Sequence, residues 1–93
     1  MKIMYVYILT NKTKSTVYVG VTSDLKKRLS EHKTKKYLDS FTSKYNLDIL
    51  VYYEVIEGQL QAIAREKQIK KYSRQKKNDL VIRRNPNWEE VKF

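Results

Sequence analysis

Two short apolar runs, Met4–Leu9 and Thr16–Val21, are separated by Thr10-Asn11-Lys12-Thr13-Lys14-Ser15, a polar stretch of turn formers. This pattern predicts a β-hairpin. Side chains alternate along a strand, so Ile3, Tyr5, Tyr7 and Leu9 share one face, and Met4, Val6 and Ile8 the other. On the second strand Tyr18 and Gly20 point away from Val17, Val19 and Val21. A suitable register puts Tyr7 and Tyr18 together, with Gly20 leaving bare backbone beside Tyr18 for a close approach. The plainer account is that aromatic residues suit a half-buried pleated surface.

Thr22-Ser23-Asp24 offers an N-cap and an early acidic residue, predicting a helix from about Asp24 to Lys35. Leu25, Leu29 and His32 form its inner stripe, with Arg28 on the edge one turn from His32. Lone histidines beside leucines are commonly packed and hydrogen-bonded rather than catalytic. Tyr37–Asn46 has no period and reads as a loop anchored by Phe41 and Tyr45. Ile49–Ile56 is a β-branched and aromatic third strand ended by Glu57-Gly58. Both its faces are apolar, like those of the first strand, which implies a layer on each side of the sheet. A second helix, Gln59–Tyr72, buries Ala62, Ile63 and Ile69. Glu66 falls between Ala62 and Ile63 on the helical wheel, in the middle of the inward stripe. Carboxylates are rarely buried unless paired or metal-bound, and such breaks in pattern concentrate at functional sites. A structural ion pair with a neighbouring Lys or Arg is the alternative. Ser73 caps a short helix, Arg74–Arg83, broken by Asn85-Pro86-Asn87. Trp88, Val91 and Phe93 are expected to dock back.

The order β-β-α-β-α-α predicts a small α/β (α+β) sandwich: a three-stranded antiparallel sheet flanked by helices, in strand order 2-1-3. Residues 1–83 are expected to form one domain and residues 84–93 a docked tail. Ninety-three residues suffice for one modest core. With no cysteine and one histidine, disulfides, thiolate nucleophiles, zinc frameworks and a Ser-His-Asp set are excluded. Met1 leads straight into the first strand, with no signal-peptide pattern and no apolar run approaching ~18 residues, so a soluble cytoplasmic protein without a membrane partner is expected. Twenty Lys and Arg oppose ten Asp and Glu, a net charge of +10. That excess favours a polyanionic partner over a merely soluble surface, and its clustering between Arg65 and Arg84 strengthens the case.

Tyr5-Val6-Tyr7, ten residues, then Tyr18-Val19-Gly20 resembles the paired tripeptides of the GIY-YIG nuclease superfamily. Arg28 and His32 stand in the first helix, where that superfamily places its arginine and, in many members, a histidine. Glu66 matches its metal-binding glutamate, and Asn78 an asparagine found in some branches. The run Glu66-Lys67-Gln68-Ile69-Lys70-Lys71-Tyr72-Ser73-Arg74 is similar to the small stand-alone YhbQ/YazA-like branch. Tyr5 departs from the first glycine of the superfamily's name and Val19 from its second isoleucine.

The resemblance implies a metal-dependent endonuclease that hydrolyses phosphodiester bonds in DNA, or in RNA, during repair, recombination or DNA processing. Tyr7, Tyr18, Arg28, His32 and Glu66 would be catalytic. Glu66 would hold Mg²⁺ or Mn²⁺, which binds through one or two carboxylates and keeps several waters. Arg28 would offer a planar fork of donors to the phosphate. Tyr18 or Tyr7 would activate the water, with His32 orienting it or relaying the proton. Lys70, Lys71, Arg74, Lys76, Lys77 and Asn78 would contact the nucleic acid backbone. A homodimer or larger nuclease complex is one way to cut both strands. Two alternatives stand beside this: a nucleic-acid-binding domain with little or no catalysis, and a basic surface for a protein or membrane partner with Glu66 in a structural ion pair.

Overall fold

The structure is a computed structural model that describes residues 2–34 and 41–93. It contains β1 (Ile3–Thr10), β2 (Val17–Thr22), α1 (Leu25–Thr34), α2 (Phe41–Lys44), β3 (Ile49–Glu57), α3 (Gln59–Lys70) and α4 (Arg74–Arg84). The strands form one antiparallel sheet in the order β2-β1-β3, as the two apolar faces of β1 require. Lys35, the expected end of the first helix, and residues 37–40 of the expected loop lie outside the described residues.

β1 is buried on both faces, so its alternation feeds two cores. Met4, Val6 and Ile8 pack with Val19, Val51, Tyr52, Ala62, Ile69 and Val81 under α3 and α4. Tyr7 and Leu9 pack with Leu25, Leu47 and Leu50 under α1. Fully burying each such aliphatic chain contributes about 1.5–3 kcal/mol, so the middle strand anchors both layers. A bulge opposite Ile8 and Leu9 gives β3 one extra residue, which lets Val51 and Tyr52 face the same core. Gly58 ends β3 at φ 98°, a conformation that only glycine adopts without strain. The caps match the sequence chemistry: Asp24 accepts from the amide of Lys27 (3.1 Å), and Ser73 from that of Lys76 (3.2 Å).

One stretch corrects the sequence reading. The expected loop contains a helical turn, α2, closed by the amide of Tyr45 on the carbonyl of Phe41 and stopped by Asn46 at φ 55°. Nor are Phe41 and Tyr45 its anchors, since they are 50% and 42% exposed. Thr42 and Leu47 are buried instead, joined by a 2.8 Å backbone hydrogen bond. The tail lies along β3: the Val91 amide donates to the carbonyl of Leu50 (2.8 Å), and the Phe93 ring meets Tyr5 and Tyr53 edge-on. Among the described residues no helix is long and apolar enough to cross a membrane.

α3 is fastened to β3 by a bidentate pair: Arg65 donates to Glu54 from Nε (2.9 Å) and Nη2 (2.8 Å), while the Tyr52 hydroxyl donates to the same carboxylate. Arg65 holds the Glu54 carboxyl below its ordinary range, whereas burial and the bond to Glu54 push the Tyr52 phenol up to about 12. Glu54 therefore stabilises the fold above the ordinary glutamate pKa of 4.5, and that contribution is lost as pH falls through its lowered native value. Arg65→Met is expected to cost about 1–3 kcal/mol at pH 7, because a hydrogen-bonded charge pair is broken. Urea unfolding should show the gap from wild type closing toward pH 3. A gap that stays constant down to pH 3 would exclude the pair as its source.

Candidate active site

The hairpin register places Tyr7 opposite Gly20, and both lie on the face that carries Tyr18. A Cβ on Gly20 would sit 2.4 Å from Tyr7 Cζ and Oη and 2.9 Å from Tyr18 Cε2. The bare backbone expected beside Tyr18 is thus filled by the ring of Tyr7. Tyr7 is 1% exposed, Tyr18 is half-buried, and their ring centroids lie 6.3 Å apart.

α1 brings His32 against both rings, with centroids 6.1 Å from Tyr7 and 6.0 Å from Tyr18. His32 Nε2 lies 3.3 Å from Tyr7 Oη, and its Nδ1 lies 3.0 Å from Thr42 Oγ1 on α2. Burial, and then the positive charge of Arg28, lower the His32 pKa, so the imidazole is neutral at pH 7. Burial, followed by the neighbouring Tyr18, raises Tyr7 far above the ordinary phenol range; Arg28 partly opposes this and Glu66 adds to it. Arg28 is exposed, borders a polar depression of about 260 Å³ and stands 3.5 Å from Glu31.

Glu66 comes from the opposite layer, on α3, which packs near edge strand β2. Its side chain is only 13% exposed, in keeping with its place on the inward stripe. Lys70, one turn on and 47% exposed, contacts it at 3.0 Å. Lys70 Nζ also stands 5.7 Å from the Tyr18 ring centroid, so this pair lies at the tyrosine cleft. Among the described residues no cluster of three or more His, Asp or Glu could cage a metal. A hard cation that keeps most of its waters and takes a phosphate oxygen needs only one or two carboxylates. Glu66, turned inward and held by one half-exposed lysine, fits as that single protein ligand.

The structure thus gathers Tyr7, Tyr18 and His32 in mutual contact, sets Lys70 with its partner Glu66 beside Tyr18, and brings the charge of Arg28 to bear on both Tyr7 and His32. It sends others elsewhere. Arg74 directs its guanidinium to the carbonyls of Ser15 (2.8 Å) and Lys14 (2.7 Å) and to Asn78 Oδ1 (2.9 Å), bracing α4 against the hairpin turn. Lys76 covers the Tyr72 ring at 4.2 Å; Lys71 is exposed and Lys77 half-buried around the α3–α4 junction. Sequence reasoning missed Glu31 and Thr42. Glu31 was findable, one turn from Arg28 and next to His32; Thr42 lies in an aperiodic stretch and carried no signal.

The family model described as the GIY-YIG catalytic domain matches residues 3–79. A UPF0213 protein of Syntrophus aciditrophicus is 42% identical over 88% of this chain and 92% of its own length. A second, from Staphylococcus haemolyticus, is 34% identical over 86% and 95%. The solution NMR structure of the UPF0213 protein BH0048 from Bacillus halodurans superposes with a TM-score of 0.59 at 30% identity, covering 95% of this chain and 92% of that one.

Gly20→Ala is expected to displace the Tyr7 ring and destabilise the chain by about 1–3 kcal/mol, the range for overpacking a filled interior. Thermal unfolding would measure this. In wild type the His32 imidazole should titrate by NMR below the ordinary 6.5, and Arg28→Gln should move it back up. An unchanged midpoint in that variant would rule out the charge coupling.

Proposed function

The chain belongs to the GIY-YIG catalytic-domain family, and from that premise we propose that it is a metal-dependent endonuclease hydrolysing phosphodiester bonds in DNA. The observation that carries the reading is an inward carboxylate, 13% exposed, at the cleft that holds two phenols and a neutral imidazole. Glu66 would bind the Mg²⁺ or Mn²⁺ ion. When bound, such an ion neutralises charge on the phosphate and stabilises the departing oxygen.

The remaining steps belong to side chains. A phenol held far above its ordinary pKa is a poor base alone. Tyr7 becomes effective as a relay: Oη takes a proton from the attacking water while its own proton passes to His32 Nε2. That direction requires the Nδ1–H tautomer of His32, which donates to Thr42 Oγ1. Arg28 favours the transient negative charge on Tyr7 and offers its fork to the phosphate. Tyr18 packs beside the relay and walls the cleft. Lys71, Lys76 and Lys77 supply salt-sensitive, sequence-independent affinity for backbone phosphates.

The test is nicking of supercoiled plasmid with Mg²⁺ or Mn²⁺, run on parallel preparations of wild type, Glu66→Gln and Tyr7→Phe. Both substitutions should lower the rate by about 100-fold or more, the range for losing a transition-state or proton-transfer group. The wild-type rate should fall in acid with a limb below pH 6.5, as His32 becomes protonated. Nicking that survives unchanged in Glu66→Gln would defeat the proposal; binding without nicking in wild type would leave a nucleic-acid-binding domain. Separately, Lys70→Ala should tighten Mn²⁺ binding, read by electron paramagnetic resonance, by roughly two- to fivefold or more, at least the worth of a surface ion pair.

A further inference from the structure

α2 does something unusual for a short helix over a core. Its buried residue, Thr42, faces His32, while its Phe41 and the Tyr45 that follows it are half exposed. Phe41 continues the row begun by Tyr18: their centroids are 6.5 Å apart and their planes lie within 29°. Tyr45 follows, its centroid 4.7 Å from that of Phe41 and its plane tilted by 47°. Three rings therefore run from the catalytic cleft outward, the outer two half exposed. An ammonium stands at each end: Lys70 Nζ at 5.7 Å from the Tyr18 centroid and Lys44 Nζ at 5.5 Å from that of Tyr45.

We infer that Phe41 and Tyr45 form a stacking platform for unpaired nucleobases next to the scissile phosphate, so that the substrate class is single-stranded or locally unpaired nucleic acid. Two properties select this occupant. Exposed aromatic faces accept any base, because every base has a π-face, and flanking cations track the phosphates between them. The row also starts at Tyr18, in the cleft, where a strand lying on the platform delivers a neighbouring phosphate to Arg28 and Glu66. Bases inside an intact duplex are stacked on one another and leave no face for Phe41. Thr42 fixes the platform to the site through His32, and Leu47, fully buried, holds the turn in place.

The inference rests on the endonuclease reading, and the experiment separates the two by measuring binding without metal. Fluorescence anisotropy in EDTA would compare a labelled single-stranded 12-mer, the same length of duplex, and an abasic strand of equal charge. Wild type should bind the single strand more tightly than either of the others. Phe41→Ala with Tyr45→Ala should weaken the single strand by roughly five- to hundredfold while leaving the abasic strand and duplex unchanged. Phe41→Trp should retain affinity and show indole fluorescence quenched by the single strand only. Circular dichroism of the double variant checks that both substitutions leave the fold intact. Equal binding of abasic and normal strands, or an unaffected double variant, would overturn the platform and leave charge alone. Sedimentation showing a dimer that the double substitution dissolves would overturn it too, by assigning the rings to a second copy. Metal-dependent nicking by wild type, lost in Glu66→Gln, stands or falls independently of all these outcomes.

Discussion

Tyr7 belongs to the middle strand, and the space its ring takes is the space a side chain on Gly20 would need. That single steric condition orders much else. With Gly20 bare, a residue from the interior of the sheet extends its hydroxyl across the neighbouring edge strand to meet His32. The ring stays buried, so its phenol is held protonated, and its oxygen lies 3.3 Å from His32 Nε2. Filling the position on β2 would push the Tyr7 ring, and with it the hydroxyl, away from His32. Glycine is kept here for what it lets through; its backbone angles are ordinary.

Much of this was legible from pattern alone, for a definite reason. The alternation of Met4, Val6 and Ile8 against Tyr7 and Leu9 reports two buried faces, and only a central strand has two. Glu66 was conspicuous because a helix repeats every 3.6 residues and leaves no polar position between Ala62 and Ile63. What could not be read depends on contacts between distant parts of the chain. Arg74 looks like one more cation in a basic run; its partners are carbonyls of Lys14 and Ser15, which no local pattern announces. Phe41 and Tyr45 were misread by the ordinary rule that aromatic residues seek cover. Thr42 and Leu47, smaller or without a polar signal, took the interior instead. Tyr5, which stands where the superfamily's first glycine would be, has its account in the tail: its ring and that of Tyr53 receive Phe93 edge-on.

The surplus of positive charge divides by function in the same way. Arg65 is occupied by Glu54, Arg74 by the hairpin turn and Arg84 by the carbonyl of Tyr53, so the arginines of the basic run that are tied down serve the fold. Their planar, many-donor heads suit fixed geometry. Lys70 and Lys76 instead meet their partners, Glu66 and the Tyr72 ring, through a single ammonium on a flexible stem. A count of +10 therefore overstates the charge open to a ligand, and the composition alone could not reveal the division.

Two glutamates at the α3 surface show why an ion pair does not by itself decide between structure and function. Glu54 is held by two hydrogen bonds from one guanidinium and a third from Tyr52, all from partners packed around it. Replacing them would leave a partly buried charge without compensation, which is costly. Glu66 is less exposed to solvent but more weakly held: its contact with Lys70 is one ammonium on a half-exposed, four-carbon stem. That single contact comes from a flexible side chain that also reaches solvent, so another cation can take its place more readily than the bidentate Arg65 can be replaced at Glu54. The first carboxylate is fixed by three donors, and the second is turned inward with a lysine on a flexible stem. On the proposed reading, a hydrated divalent cation would compete with Lys70 for this carboxylate, and the displaced ammonium would stay beside the Tyr18 ring.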